Sequence, residues 1–525
     1  MSRKVAGWCL GLMILLVGCG FVLGAARRSS SPILTRSQLI AQAQSLIAQK
    51  QVRSIRWGIC IARADTGEVI FGDNADSLFL PASNRKLFVT ALALDRLGPD
   101  FRFSTSLDLG SPLSEDGHLR GDLIVRGSGD PTFLNPRFHG GAMDSTLREW
   151  TETLWAIGVR EIEGDVVMDG SHFASGEQRA EGWIKDYETA EYAPRASAIS
   201  IAGNRVTVNI HPAKEPGQPP TVSLLPANSI VKVANLAVTG PRRCANTITI
   251  ERGEDGPDHL VVRGRIGCGA PEETLRVPLE QPALVAGQVF RSALTKKGIK
   301  VRGEIRAPNG STGILPVNYH LQEELATAQR PEAWATETSP TQWLRVAEYL
   351  SPPLREILEV TNKHSDNYCA EQLFQGVAFA RTAHASYGEA KKYEEEFLAE
   401  IGILPNAANF EDGCGLSRLN LVTPRATVRL LCHMALHKYR SEFMDSLPLA
   451  GREGTLAGRM GKRAMGHVRA KTGCLSMASC LSGYAEARSG VIVAFSILAN
   501  DCAGRISEAC SVQDRICEAL VNTNL

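Results

Sequence analysis

The sequence predicts an α/β (α+β) fold in which one mixed domain is split by a large β-rich insertion of one or two nested domains. Three observations carry this. The two ends of the chain are mixed or helical in texture, whereas residues 104–316 are mostly short β-branched runs punctuated by Gly, Asp and Pro. An apolar helix begins after Pro81, just before that change. Two adjacent strand patterns joined at Arg488-Ser489-Gly490 close the chain, where they can complete a domain begun at the N-terminus. The expected division is therefore 1–30 as an export segment, 35–103 with 317–525 as the split domain, and 104–316 as the insertion.

The whole-chain numbers agree. A length of 525 residues exceeds one ordinary domain, and 44% hydrophobic residues without a low-complexity tract can bury a core. A formal net charge of +1 excludes a global basic field that would attract nucleic acid.

Taken in order, Arg3 and Lys4 precede an apolar run at 5–26, followed by Arg27, Arg28 and a Ser-rich stretch, the pattern of an export signal. The expected location is periplasmic or elsewhere in the cell envelope. The run also reaches the roughly 20 residues that span a bilayer, and Leu16-Val17-Gly18-Cys19 resembles a lipobox. A cleaved signal, a lipidated Cys19 and a retained membrane anchor all stay open. Of 13 cysteines, Cys9 and Cys19 lie in this segment. The rest show no CxxC pair and no Cys/His cluster of zinc spacing, so no metal site is expected. Cys244 and Cys268 flank a strand-like segment and form the best candidate disulfide. Cys510 and Cys517 sit on a helical pattern with Ile506, Ile516 and Leu520 and read as core.

Ser37 is expected to cap a helix with Leu39, Ile40, Ala43, Leu46 and Ile47 on one face. Residues 57–62 and 68–71 form a hairpin around Asp65-Thr66-Gly67. The helix after Pro81 carries Ser83 near its first turn. Leu87, Val89, Ala91, Leu92, Ala93 and Leu94 make it apolar nearly all round, hence buried, and Gly98-Pro99 ends it. Within the insertion, strand runs at 123–125, 166–168, 205–210, 229–238, 247–250 and 259–262 surround one helical stretch, 284–297. Helical texture returns at 353–374, and strands at 478–487 and 491–500 precede a final helix.

Three motifs fall in the split domain: Ser83-Asn84-Arg85-Lys86, Ser365-Asp366-Asn367 and Lys471-Thr472-Gly473. Each alone has a bland reading, namely a capping Ser followed by a surface Lys, an Asx-turn, and a turn. In this order they supply a nucleophile, its base and further proton-handling groups. Ser83 and Lys86, at i and i+3, share one helix face. A Ser hydroxyl attacks only when something removes its proton. A Lys that burial and a second cation, Lys471, hold partly neutral can do so. The Ser83 N–H at a helix start is free for an oxyanion. Ser365 can relay a proton to a leaving amine, and Asn367 can hold the substrate backbone and the Lys side chain. On an edge strand Lys471 and Thr472 meet a carboxylate, Gly473 leaves room, and the Cys474 N–H is the second oxyanion donor.

The set resembles that of penicillin-binding proteins and class A β-lactamases. More closely, residues 37–520 are similar to the D-alanyl-D-alanine carboxypeptidase/endopeptidase family of low-molecular-mass penicillin-binding proteins, the class with a large insertion. The likeness extends to Gly121-Asp122-Leu123, Gly129-Asp130-Pro131-Thr132, Tyr192-Ala193-Pro194, the run Asp412-Gly413-Cys414-Gly415-Leu416-Ser417-Arg418, the run Leu447-Pro448-Leu449-Ala450-Gly451, and Gly454-Thr455-Leu456. The resemblance implies a penicillin-binding/β-lactamase-like transpeptidase domain acting on peptidoglycan stem peptides, β-lactam antibiotics as covalent inhibitors, and no cofactor. Cys414 stands where the family has Ser, and Cys474 where it has Thr or Ser; neither removes a catalytic side chain. A β-lactamase is the alternative enzyme, but class A enzymes hold SxxK and SxN much closer together than the roughly 280 residues seen here. A catalytically silent wall-binding protein has no need of Ser83, Lys86, Ser365 and Lys471 together.

Overall fold

The computed structural model describes residues 33–140, 145–171, 173, 179–308, 343–382 and 385–525. The export segment with Cys9 and Cys19, and the expected boundary at 316/317, lie outside the described residues. No described helix is long and apolar enough to cross a membrane.

Thr35, rather than Ser37, opens the first helix, Arg36–Ile47. Gln38 decides this: its backbone N–H donates to the Thr35 hydroxyl while its side chain accepts from the Thr35 N–H, a reciprocal capping box. Leu39, Ala43 and Leu46 of this helix pack with the final helix, Ile506–Val521, on one face of an antiparallel sheet. The strand order across that sheet is Val69–Asp73, Arg56–Arg63, Ile492–Asn500, Ala478–Glu486 and Val468–Leu475. The first two strands come from the start of the chain and the last three from its end. Neither end can form the sheet alone, so the intervening residues are looped out from one continuous core.

On the other face of the sheet lies the helix Arg85–Leu97, buried on every side from Arg85 to Leu94. It packs with Leu354–Lys363, Asn367–Thr382 and Pro424–Leu436 in one apolar cluster. Arg85 points into this cluster fully buried, and Glu394 from Tyr387–Glu400 receives it in a two-pronged ion pair at 2.5 and 2.8 Å. The guanidinium also lies 4.1 Å from the Phe410 ring centroid and 4.8 Å from that of Phe374, and it donates to the Asp412 carbonyl at 2.6 Å.

The looped-out part holds its own core around a second sheet ordered Ile305–Arg306, Val166–Asp169, Leu123–Arg126, Ser104–Leu109 and Leu344–Leu350. Among the described residues two α-helices pack there. Pro282–Lys297 matches the expected helical stretch and stops at Gly298, whose φ of 94° suits glycine. Ser145–Ala156 was not expected. Its buried Leu147, Trp150, Thr151 and Leu154 follow helical spacing, but Thr and Trp favour strands and blur the period. The 229–238 run divides into Lys232–Asn235 and Val238–Gly240. Among the described residues all cysteines are free thiols, Cys244 and Cys268 included.

Removing the carboxylate from the buried ion pair leaves Arg85 charged and unpaired, at a cost of about 3–5 kcal/mol. Glu394→Ala is therefore expected to lose that much unfolding free energy in urea titrations, while Arg96→Ala, whose ion pair with Glu400 is partly exposed, loses under about 1 kcal/mol.

Candidate active site

Ser83 sits in a short 3-10 turn, Ala82–Asn84, immediately before the helix Arg85–Leu97, rather than within the helix itself. The turn is held from the sheet. Asn84 donates to the Lys471 carbonyl at 2.8 Å and accepts from the Ser482 hydroxyl at 2.7 Å, both buried. Ser482 in turn shares a hydrogen bond with the Ser496 hydroxyl at 2.9 Å. Asn84, one of the two residues between Ser83 and Lys86, is the brace that fixes the Ser83 turn against the Lys471 strand. Gly473 completes the close approach. A Cβ there would stand 2.8 Å from the Pro81 carbonyl oxygen and 3.0 Å from the Ser83 nitrogen.

Lys86, one helical turn on, is fully buried. Its Nζ lies 3.0 Å from Ser83 Oγ, 2.6 Å from Asn367 Oδ1 and 2.8 Å from the Cys414 carbonyl oxygen. The Asn367 amide is oriented by its Nδ2, which donates to the Tyr192 carbonyl at 2.7 Å. Burial lowers the Lys86 proton affinity below its ordinary value of 10.5, opposed by the nearby Cys414, Asp412, Asp366 and Glu371. The geometry states which way a neutral amine would face. Its two N–H bonds go to the Asn367 and Cys414 oxygens, which only accept, so its lone pair is left for the Ser83 hydroxyl.

Ser365 lies in the turn between Leu354–Lys363 and Asn367–Thr382 with φ of 56°, the left-handed region. That twist turns its hydroxyl toward Lys471, whose Nζ donates to it at 2.9 Å and to the Thr472 carbonyl at 2.8 Å. Lys471 is fully buried, and burial first, then the Lys86 charge, pulls its proton affinity well down. The Lys471 strand is an edge strand, as expected. Thr472 Oγ1 meets Thr455 Oγ1 at 2.8 Å, and Cys474 is exposed at the strand's end. The expected site residues thus come together: Lys86 reaches Ser83 and Asn367, Lys471 reaches Ser365, and Gly473, between Thr472 and Cys474, closes on Ser83.

The support behind them was not read from the sequence. Glu371, buried on Asn367–Thr382, accepts from the Gly413 and Cys414 N–H groups at 2.9 and 2.7 Å, and from the Tyr387 hydroxyl at 2.9 Å. Asp412 accepts from the Gly415 and Ser417 N–H groups and from Asn420. Together they hold the loop whose Cys414 carbonyl grips Lys86. The insertion reaches the same loop through Trp183, which donates to Asp412 at 2.9 Å, and through Tyr187, which receives Arg418 at 3.2 Å. A small cavity of about 210 Å³ lies where Glu191, Tyr192 and Arg205 face Ser365 and Asn367.

Comparison with known proteins agrees with this architecture. The family described as D-Ala-D-Ala carboxypeptidase 3 (S13) matches residues 39–328 and 317–521. The D-alanyl-D-alanine carboxypeptidase of Actinomadura (strain R39) is 32% identical over 471 residues, 87% of this chain and 80% of that protein. The carboxypeptidase DacB of Haemophilus influenzae is 27% identical over 453 residues, 86% of each chain. The crystal structure of penicillin binding protein 4 from Haemophilus influenzae superposes with a TM-score of 0.74 at 25% identity, covering 90% of this chain and 99% of that one. The expected fold class is borne out.

Asn84→Ala strips two buried hydrogen bonds from the brace and leaves the Lys471 carbonyl and Ser482 without their partner. Unfolding free energy is expected to fall by about 2–3 kcal/mol, measured by urea titration. A change within experimental error would show that the turn is held by something else.

Proposed function

This chain belongs to the D-Ala-D-Ala carboxypeptidase (S13) family and is a serine-type D-Ala-D-Ala carboxypeptidase; on that premise we propose how its residues divide the reaction. Ser83 Oγ attacks the carbonyl of the penultimate D-Ala in a peptidoglycan stem peptide. Neutral Lys86 receives the hydroxyl proton through the lone pair that its two carbonyl partners leave free. The oxyanion is met by the N–H groups of Ser83 and Cys474. Ser365 passes a proton to the departing D-Ala amine, with Lys471 behind it. Asn367 holds the stem peptide and orients Lys86. Lys471 and Thr472 meet the terminal carboxylate, and Gly473 lets the peptide lie along the strand. Water, deprotonated by Lys86, releases the acyl group. The observation that carries this reading is the 3.0 Å contact of a fully buried Lys86 with Ser83 Oγ.

β-Lactams acylate the same serine in this reading, as a β-lactam complex of the Haemophilus influenzae protein supports. The same acylation serves cross-linked stems, so an endopeptidase activity needs only access. The domain division we propose follows sheet pairing: the catalytic body is 35–103 with about 351–525, and the insertion runs from 104 to about 350. Support comes from Leu344–Leu350 pairing with Ser104–Leu109, and from the Ser351 N–H meeting the Phe103 carbonyl at 2.9 Å. Export to the cell envelope, by a cleaved, lipidated or retained N-terminal segment, follows from the basic and apolar start of the sequence and from the peptidoglycan substrate.

Labelling with a fluorescent penicillin tests the assignment. Ser83→Ala is expected to lose all covalent label and all D-Ala release while unfolding at the same urea concentration; a surviving penicilloyl adduct would remove Ser83 from the role. Lys86→Arg keeps the charge but cannot supply a neutral amine, so acylation is expected to drop about 10²–10⁴-fold.

The direction of the Lys86 shift sets a pH dependence. The base is the deprotonated amine, so acylation rises with pH and levels off above the Lys86 value, which lies below 10.5. A profile still climbing through 10.5 would show an ordinary, solvated lysine. Purified monomeric and cross-linked muropeptides, with products identified by mass, read the balance of carboxypeptidase and endopeptidase activity.

A further inference from the structure

Beside the far end of the Lys471 strand lies a pair of thiols, one on the strand and one on the final helix, that the reaction does not use. Cys474 is exposed, and its partner across the strand pair is Ser479. Residues directly opposite in an antiparallel pair share a face, with Cβ atoms about 5 Å apart. On this face Val468, Ala470, Leu481 and Ala485 pack against the final helix. From that helix Cys510 brings its Sγ to 3.5 Å from Ser479 Oγ. Cys510 thus touches the residue that pairs with Cys474, while the Cys474 Sγ itself lies 3.8 Å from the Leu475 carbonyl oxygen. Burial, and then the neighbouring Cys510, push the Cys474 thiol above its ordinary value of 9.0. Cys510 lines an open surface cavity of about 530 Å³ with Ser507, Ser511 and Asp514, so a reagent can reach it. The thiols of Cys480 and Cys502, also nearby, are buried.

We propose that Cys474 and Cys510 form a redox-active pair, which when joined as a disulfide ties the substrate strand to the final helix and slows acylation. The oxidant is a disulfide, RSSR. One thiolate of the pair attacks it, forming a mixed disulfide and expelling RS⁻. The second thiolate then attacks the protein sulfur and expels the other RS⁻. Two protein thiols lose two protons and two electrons, and RSSR becomes two RSH. A disulfide fixes its Cα atoms about 5.5–6 Å apart, so closing it locks the Cys474 end of the strand to the helix and constrains the N–H proposed to meet the oxyanion. This consequence rests on the oxyanion role proposed for Cys474, whereas the pairing itself does not.

The full-length protein is reduced with dithiothreitol, then incubated at about pH 9, where thiolates form, with excess lipoic acid. The mixed disulfides of this cyclic disulfide revert by ring closure, so a lone thiol is not left blocked. Peptide mapping by mass and the penicillin acylation rate are followed before oxidation, after it and after re-reduction. The expected result is a linked Cys474–Cys510 peptide pair and acylation more than about tenfold slower, with recovery on re-reduction. Cys510→Ser, or Cys510→Ala if the serine variant melts early, keeps its reduced rate throughout. Cys474 recovered unlinked, Cys474 joined to Cys502, or full linkage at an unchanged rate would each overturn the proposal. The map is independent of activity: reduced protein that never acylates sinks the acyl-serine reading, while the map still decides the pair.

Discussion

Two lysine side chains buried side by side govern the rest of this structure. An ammonium in the protein interior is costly unless every N–H finds a partner or the proton leaves. Lys86 is offered three acceptors, of which only the Ser83 hydroxyl can reverse and donate. Lys471 is offered Ser365 and its own strand's Thr472 carbonyl, and the Lys86 charge adds to its desolvation. For Lys86, that burial cost is directed at the Ser83 oxygen.

Keeping those acceptors in place explains the unusual polar content of the surrounding core. The Cys414 carbonyl reaches Lys86 only because Glu371 and Asp412 collect the N–H groups of its loop. Burial raises Glu371 to about 7, with Asp412 adding to the rise and the loop and Tyr387 hydrogen bonds opposing it. Arg85, beside Lys86 in sequence but on another face of the helix, reaches the Asp412 carbonyl and Glu394. The loop and the nucleophile helix are thus linked by charge-assisted bonds in a dry setting, where such bonds are strongest and most demanding of geometry. The insertion joins the same loop through Trp183 and Tyr187 and orients Asn367 through the Tyr192 carbonyl. It therefore touches the groups that position the base, as well as walling the cleft.

The motifs and the alternation of textures were legible in the residues because they are local. SxxK on an apolar helix, a turn before a second helix and KTG before a hairpin each declare themselves within about ten residues. So did the looped-out insertion, since helical and β-rich periods differ over long stretches. What escaped was set by partners distant in sequence. Asn84 became a brace only because Lys471 and Ser482 lie opposite it. Leu344–Leu350 joined the insertion's sheet only because Ser104–Leu109 offered an open edge. The helix Ser145–Ala156 has residues of mixed propensity, and packing against the second core decided it.

By itself, then, the sequence named the candidate groups for the proposed chemistry: a hydroxyl, two amines, an amide and a glycine strand, in an order that admits few readings. Only the tertiary structure decided their protonation and direction. Desolvation is a property of the surrounding volume, and that volume is built from residues hundreds of positions apart. The Asn84 brace arises from the long-range closure of the sheet, and the Cys414 carbonyl grip from the loop that Glu371 and Asp412 hold. A linear pattern can name a lysine, but its proton affinity is set by everything packed around it.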